Sequence, residues 1–174
     1  MKTHIELGQA RTGRLQGVRV ADFSAIFSGP IAGAMLADQG ADVIKVEAFD
    51  GDLMRRGFPQ SGGMASAFTS MNRNKRGLAI DLQQDAGKAI ARKLILSADI
   101  VLENFRPGVM DRLGLGYGAF RETHPKLVYA SVNGVGSTGP YADRRVYDAV
   151  IQAISGFTAL RVDGKPEMVN SLVC

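Results

Sequence analysis

Apolar positions along the chain switch between two spacings. Residues 18–23, after Gly17, form a short β-branched run and read as a first strand. Residues 24–29 make a loop. Pro30 is expected at the first helical position, where its missing N–H would have no partner. Ile31, Ala34, Met35 and Leu36 then recur at helical spacing, and Gly40 is expected to close the helix in a left-handed conformation. Residues 42–47 are a second strand. Strand, helix and strand within about 30 residues make a βαβ unit, and such units build parallel sheets.

Further along, residues 49–63 carry Gly, Pro, Asp and Ser and read as a long surface loop, and residues 72–76 as a basic, solvated turn. A short strand is expected over 78–82. An amphipathic helix follows over 85–97, with Ala89, Ile90, Leu94 and Leu96 near one side, and another strand over 99–103. Residues 107–113 suggest a helical turn, 126–132 a strand, and 133–145 a loop rich in Gly and Pro. A last helix is expected over 147–160, burying Val150, Ile151, Ile154 and Phe157. No internal repeat is present. Alternating strands and helices predict an α/β fold, a parallel sheet with helices on both faces. Ligands in such folds bind beyond the carboxyl ends of the strands, which directs attention to loops 24–29, 104–108 and 134–145.

Composition narrows the class. The 174 residues are 45% hydrophobic and 22% charged, the balance of about one globular domain and not of a disordered tail, a collagen-like fibre or a disulfide scaffold. The single cysteine, Cys174, allows no internal disulfide and fits a reducing compartment. Residues 1–14 lack an apolar leader segment. The most apolar stretch, 25–37, is broken by Ser28, Gly29, Pro30 and Gly33, short of the roughly 18 residues a membrane span needs. A cytoplasmic protein without membrane attachment is expected. The net charge of +4 tolerates anionic ligands but is too mild to argue for nucleic acid.

Several motifs carry possible chemistry. Residues 134–139 match G-x-G-x-x-G after a strand, but Pro140 and charged residues follow where a dinucleotide site needs a helix to open, so flexible-loop glycines are the preferred reading. Asn104, Phe105 and Arg106 offer an amide, an aromatic ring and a guanidinium that could hold an adenine and a phosphate, with Arg112 about one and a half helical turns on. On the residues alone, plain solvated surface is the preferred reading of two arginines in a loop. His4 and His124 lack metal-ligand spacing and are expected at the surface without a role; no metal is expected. No G-x-S-x-G elbow and no Cys–His pairing supports a hydrolase triad. Asp148 heads a helix and would complement its dipole, with an acid or base role left open.

An ordered set of strings goes further: Asp22-Phe23-Ser24 with Ser28-Gly29-Pro30, residues 36–47 (LADQGADVIKVE), residues 72–76 (NRNKR), residues 98–108 (ADIVLENFRPG), residues 113–117 (LGLGY), and Gly139-Pro140-Tyr141 running on to Tyr147-Asp148. Together they resemble the class III coenzyme A transferases of the formyl-CoA transferase and carnitine CoA-transferase type, from about Leu15 to Cys174. The resemblance implies a Rossmann-like sheet that is part of the large domain of an interlocked dimer. Residues 1–14 are then an N-terminal tail, and 15–174 the N-terminal part of that domain.

The resemblance also implies a reaction. Coenzyme A passes from an acyl-CoA to a small carboxylic acid, an aspartate carboxylate forming a mixed anhydride on the way. Coenzyme A and acyl-CoA are substrates, with no tightly bound cofactor, and the full-length form is a homodimer. Matched positions give the coenzyme site as Phe27, Ser28, Ile80, Asn104, Phe105, Arg106, Arg112, Arg145, Tyr147 and Asp148. Ala48 and Gln83 depart from relatives with basic residues there, which removes one or two phosphate contacts. Racemases of the superfamily act on 2-methylacyl-CoA and carry a histidine where this chain has Tyr147. With an unperturbed pKa near 10, tyrosine is a poor substitute for a base, which favours transfer. The nucleophilic aspartate is expected immediately after Cys174, so the 174-residue chain is expected to be inactive. A non-catalytic coenzyme-binding or dimerisation module is the competing class.

Overall fold

Side chains on successive positions of a strand point to opposite faces, and this alternation sorts the core into two layers. The computed structural model describes residues 12–57, 59–142, 144–160 and 163–167. In β1 (Arg19–Asp22), Val20 joins a cluster with Val43 and Leu102, while Ala21 joins a second cluster with Val101 and Ile95 on the other side. Helix α1 (Ser28–Asp38) covers the first face through Ala37 and Leu36.

Strand β2 (Asp42–Glu47) returns beside β1. A one-turn 3-10 helix over Leu53–Arg56, a hairpin of β3 (Gln60–Ser61) and β4 (Met64–Ala65), and α2 (Ser66–Met71) come next, inside and just beyond the segment expected to be plain loop. Then follow β5 (Arg76–Ala79), α3 (Asp85–Leu96), β6 (Ile100–Glu103), a single turn α4 (Val109–Arg112), a 3-10 turn over Tyr117–Ala119, and β7 (Val128–Ser131). Helix α3 lays Ala91, Leu94 and Ile95 on the second face. Helix α5 (Asp148–Ile154) and the paired strands β8 (Ala159–Leu160) and β9 (Pro166–Glu167) complete the order. The main sheet runs β5-β2-β1-β6-β7, parallel throughout, with helices on both faces as expected. No helix among the described residues is long and apolar enough to cross a membrane.

Helix α1 ends as expected. Gly40 has φ +97°, its N–H reaches the Ala37 carbonyl at 3.0 Å, and the Ala41 N–H reaches Leu36 at 3.1 Å, which is a Schellman cap. Its start differs. The helix begins at Ser28, so Pro30 is the third helical residue; the first intrahelical donor is Ile31, and the missing N–H of Pro30 still costs nothing.

Three expectations are corrected. The strand read over 78–82 lies at Arg76–Ala79, so it starts on the last residue of the basic segment. The last helix stops at Ile154, two residues before Gly156 at φ +76°, and the expected buried stripe is open: Val150, Ile154 and Phe157 are exposed, while Gln152 is buried. His124 is half-buried, with Nε2 2.8 Å from the Ala98 carbonyl, and not a bare surface residue. His4 lies outside the described residues.

The basic turn is the largest departure. Lys75 is buried and its ammonium donates to Asp22 Oδ2 at 2.8 Å, to the Pro30 carbonyl at 2.8 Å and to Asn72 Oδ1 at 3.0 Å. All three ammonium protons are used, which a buried cation requires. Gly33 makes room: a Cβ there would lie 2.7 Å from Asp22 Oδ2 and 2.9 Å from Lys75 Nζ. Arg73 pairs with Asp38 on α1, and Arg76 grips Asp42 with two bonds at the solvent boundary.

These two kinds of pair differ in energy. Truncating Lys75→Ala strands the Asp22 carboxylate in the interior and should destabilise the chain by about 3–5 kcal/mol. Arg76→Ala should cost about 1 kcal/mol or less. Urea unfolding of the two variants side by side checks this; equal losses would contradict the buried role of Lys75.

Candidate functional site

In sheet order the strands of the main sheet run third, second, first, fourth and fifth along the chain. The order reverses between β1 and β6, and open α/β sheets bind ligands in the crevice beyond the carboxyl ends of the strands at such a switch point. Two loops meet there. Asn104, the residue after β6, clasps the backbone of the loop after β1: its Oδ1 accepts from the Ala25 N–H at 2.8 Å and its Nδ2 donates to the Ala25 carbonyl at 2.7 Å. One amide side chain thus satisfies both polar groups of a residue 79 positions away and fixes the two loops against each other.

Six of the ten residues singled out from the sequence lie on these two loops and the turn of α4 that follows. Phe27 caps α1 and Ser28 begins it, both half-buried. Phe105 is held by its N–H donating to Glu103 Oε2 at 2.8 Å, and its ring packs partly on the core beneath, so it does not stand free as a two-sided stacking platform. Arg106 is exposed. Arg112, at the end of α4, is also exposed and folds back over Gly108; a Cβ on that glycine would lie 3.2 Å from Nη1. Neither arginine makes a side-chain hydrogen bond or ion pair with the described residues. Two guanidiniums with free donors beside a half-buried aromatic ring suit an anionic, ring-bearing ligand.

The other residues lie elsewhere. Ile80 is buried in the core at the end of β5, its N–H bonded to the Glu47 carbonyl at 2.9 Å, so its side chain faces inward. Beside it, a cleft of about 320 Å³ opens over the carboxyl ends of β2 and β5, lined in part by Glu47, Ala48, Phe49, Arg55 and Leu78. Gln83 lies just beyond β5 with its N–H on Asp81 Oδ1 at 2.8 Å. Arg145, Tyr147 and Asp148 lead into α5. They are tied to the loop after β7 through Val146, whose methyl would be 2.2 Å from a Cβ on Gly134. Arg145 and Tyr147 are exposed. Asp148 Oδ2 accepts from Gln152 Nε2 at 2.6 Å, and Oδ1 is buried without a hydrogen-bond partner among the described residues.

Beneath the crevice lies a set of charged groups that the motifs did not point to. Asp22 Oδ1 accepts from the Ser24 N–H at 3.0 Å and from the Ser24 hydroxyl. Lys45, buried in the middle of β2, donates to the Ser24 carbonyl at 2.8 Å and pairs with Asp52 at 3.0 Å. Asp52 also accepts from the Met54 N–H at 2.9 Å and faces the Ile26 N–H. Glu47 takes two bonds from Arg55, both 2.7 Å, and one from the Asp52 N–H at 2.9 Å, while the Arg55 guanidinium lies 3.9 Å over the Phe68 ring. The signal for this set was an Asp and a Lys inside strands that are otherwise buried, since such charges require partners.

Comparison with known proteins agrees with this architecture. An open, parallel sheet with helices on both faces and a reversal of strand order places the chain in the doubly wound α/β class. Residues 15–174 match the model of CoA-transferase family III, and the chain belongs to that family. It is 41% identical over 162 residues to a succinate–glutarate CoA-transferase of Agrobacterium fabrum, covering 87% of this chain and 40% of that protein. It is also 41% identical over 148 residues to a formyl-CoA:oxalate CoA-transferase of Streptomyces avermitilis, covering 83% and 36%. The crystal structure of Rv3272 from Mycobacterium tuberculosis superposes with a TM-score of 0.87 at 38% identity, covering 94% of this chain and 47% of that one. The chain therefore spans less than half the length of these relatives.

Burial alone would raise the Glu47 pKa, but the Arg55 and Asp52 hydrogen bonds and the charges of Arg55 and Lys45 outweigh it and hold the carboxyl below its ordinary 4.5. A depressed carboxylate pKa contributes stability that is present above the unfolded value and lost as pH falls through the folded one. Glu47→Gln should therefore lower stability at pH 7 and flatten its decline below about pH 4.5. Thermal melts of both forms across pH 2.5–7, on the order of half-unit steps, check this; parallel curves would contradict it.

Proposed function

We propose that this chain is the coenzyme-binding part of an enzyme that transfers coenzyme A from an acyl-CoA to a small carboxylic acid. The observation that carries the reading is the Asn104 clasp, which joins the loop of Phe27 and Ser28 to the loop of Phe105 and Arg106 beside two exposed guanidiniums without partners among the described residues. Coenzyme A offers what such a junction accepts: an adenine ring, phosphates, and a thin pantetheine arm. The arm would run from the crevice toward Tyr147 and Asp148.

The chemistry proposed is covalent catalysis by a carboxylate. An aspartate attacks the thioester carbonyl, the C–S bond breaks, and coenzyme A leaves as the thiolate. The acyl group stays on the aspartate as a mixed anhydride until a second carboxylate attacks the aspartyl carbonyl, expels the first acid as its free carboxylate and forms a new anhydride; the thiolate then attacks the new acyl carbonyl, forming the product thioester and releasing the aspartate carboxylate. The attacking oxygen must come within roughly 3–3.5 Å of the carbonyl carbon. Asp148 is poorly placed for that role. One of its oxygens is held by Gln152 and the other is buried, so it orients the start of α5 and does not attack. The nucleophile is assigned to the full-length protein outside the described residues. Tyr147 in place of a histidine favours transfer over racemisation. A cytoplasmic homodimer is the proposed setting.

Two outcomes are expected. Coenzyme A should bind the chain, and Arg112→Ala should weaken binding by about 1.5–3 kcal/mol, the range for a hydrogen bond to a charged group. Calorimetry showing unchanged affinity removes Arg112 from the site. The 174-residue chain should form no enzyme-bound anhydride when incubated with acyl-CoA donors and labelled carboxylates, as read by hydroxylamine trapping. A hydroxamate at Asp148 would overturn the assignment.

A further inference from the structure

One residue at the crevice has a backbone that its side chain disfavours. Ile26, in the middle of the loop after β1, has φ +70°, in the left-handed region where a β-branched residue is an outlier. Such a conformation persists only where the surroundings over-determine it. Here the surroundings are identifiable. On one side Asn104 holds both polar groups of Ala25. On the other, the Ile26 N–H points at the Asp52 carboxylate, 3.2 Å from Oδ2 and 3.4 Å from Oδ1. Asp52 is itself buried and fixed by Lys45 at 3.0 Å, and Lys45 holds the Ser24 carbonyl at 2.8 Å. Three successive residues of the loop, Ser24, Ala25 and Ile26, are thus each tied to a different element, and the next two are Phe27 and Ser28.

We propose that the buried Lys45–Asp52 pair is a positioning device. It holds Ile26 in the left-handed region and so sets the backbone of Phe27 and Ser28 for the coenzyme. Neither Lys45 nor Asp52 need touch the ligand. Lys45 stands in β2 and Asp52 caps the 3-10 turn, and the influence of the pair passes through the Ser24 carbonyl and the Ile26 N–H. The functional part of the inference rests on the coenzyme reading above, whereas the backbone part does not.

The two parts are tested separately. In the unsubstituted, isotopically labelled chain, the Ile26 amide should be protected from hydrogen exchange and the Ile26 Cα shift should report a left-handed residue. Free exchange at that amide overturns the device without any substitution. Removing Asp52 alone would bury an unpaired Lys45 and could unfold the chain, so the informative variant is Lys45→Met with Asp52→Leu, which replaces the pair by apolar groups of similar size. This variant should still melt cooperatively, lose the left-handed shift at Ile26, and bind coenzyme A tenfold or more weakly by calorimetry. Adding Ile26→Gly should recover most of the lost affinity, because glycine adopts positive φ without a side-chain penalty. A pair that served stability alone would show no such rescue. Unchanged affinity in the paired variant, or no recovery with the glycine, overturns the positioning role. If the unsubstituted chain fails to bind coenzyme A, the coenzyme reading and the functional part fall together, while exchange and shift at Ile26 still decide the backbone part.

Discussion

The Asp22 carboxylate is the constraint around which this molecule is arranged. It sits fully buried at the end of the central strand, and a charge there is tolerable only if paired and hydrogen-bonded. Lys75 supplies the pairing from the far end of the turn before β5, and Ser24 supplies two further donors from the loop after β1. Meeting that demand ties together the start of α1, the entry to the edge strand and the first residues of the crevice loop. Helix α1 passes close over the pair because Gly33 has no side chain there. Burial lowers the pKa of Lys75 from its ordinary value, and the Asp22 charge opposes that shift. The interior cost of the pair is thus visible in the ammonium itself.

From Asp22 the same logic spreads outward along the carboxyl edge of the sheet. Lys45 and Asp52 form a second pair, Glu47 and Arg55 a third, and each member also bonds a backbone group or an aromatic face. The result is a row of charges under the loops that follow β1 and β2. Buried ion pairs contribute little net stability compared with apolar packing of equal volume. Their value here is geometric. They dictate where particular carbonyls and N–H groups point, and apolar packing is not directional enough to do that.

The legibility of this arrangement in the sequence followed the range over which each signal acts. Strands β1, β2 and β6, the helix between the first two, and its Gly40 cap were readable because periodicity and capping are local. The loops that make the crevice followed from the position of each after a strand. Lys75 was not readable as buried, because its partner Asp22 is 53 residues away and a run of Asn, Arg and Lys looks solvated by composition. The α5 stripe failed for a related reason. Val150, Ile154 and Phe157 have helical spacing, but spacing says which face is apolar and not whether anything in the chain covers it. Gln152 was invisible as an interior residue because its burial depends on a carboxylate four residues back, Asp148, and on the chain folding over it beyond Gly156.

The described cations near the carboxyl ends of β1, β2 and β6 divide into two groups with different physical states. Lys45, Lys75 and Arg55 are neutralised by carboxylates within the fold, two of them almost fully buried. Arg106 and Arg112 stand exposed at the crevice, without a charged partner among the described residues. That division has a consequence for recognition. In the coenzyme reading proposed above, a ligand phosphate would have no carboxylate among the described residues to displace from these arginines, so the favourable contact would not be offset by breaking an existing pair. The backbone of the loop after β1 is held by other charges, Lys45 and Asp52, and not by these arginines. A site whose scaffold charges also faced the ligand would have to trade one role against the other; in the proposed reading the two roles fall on different residues.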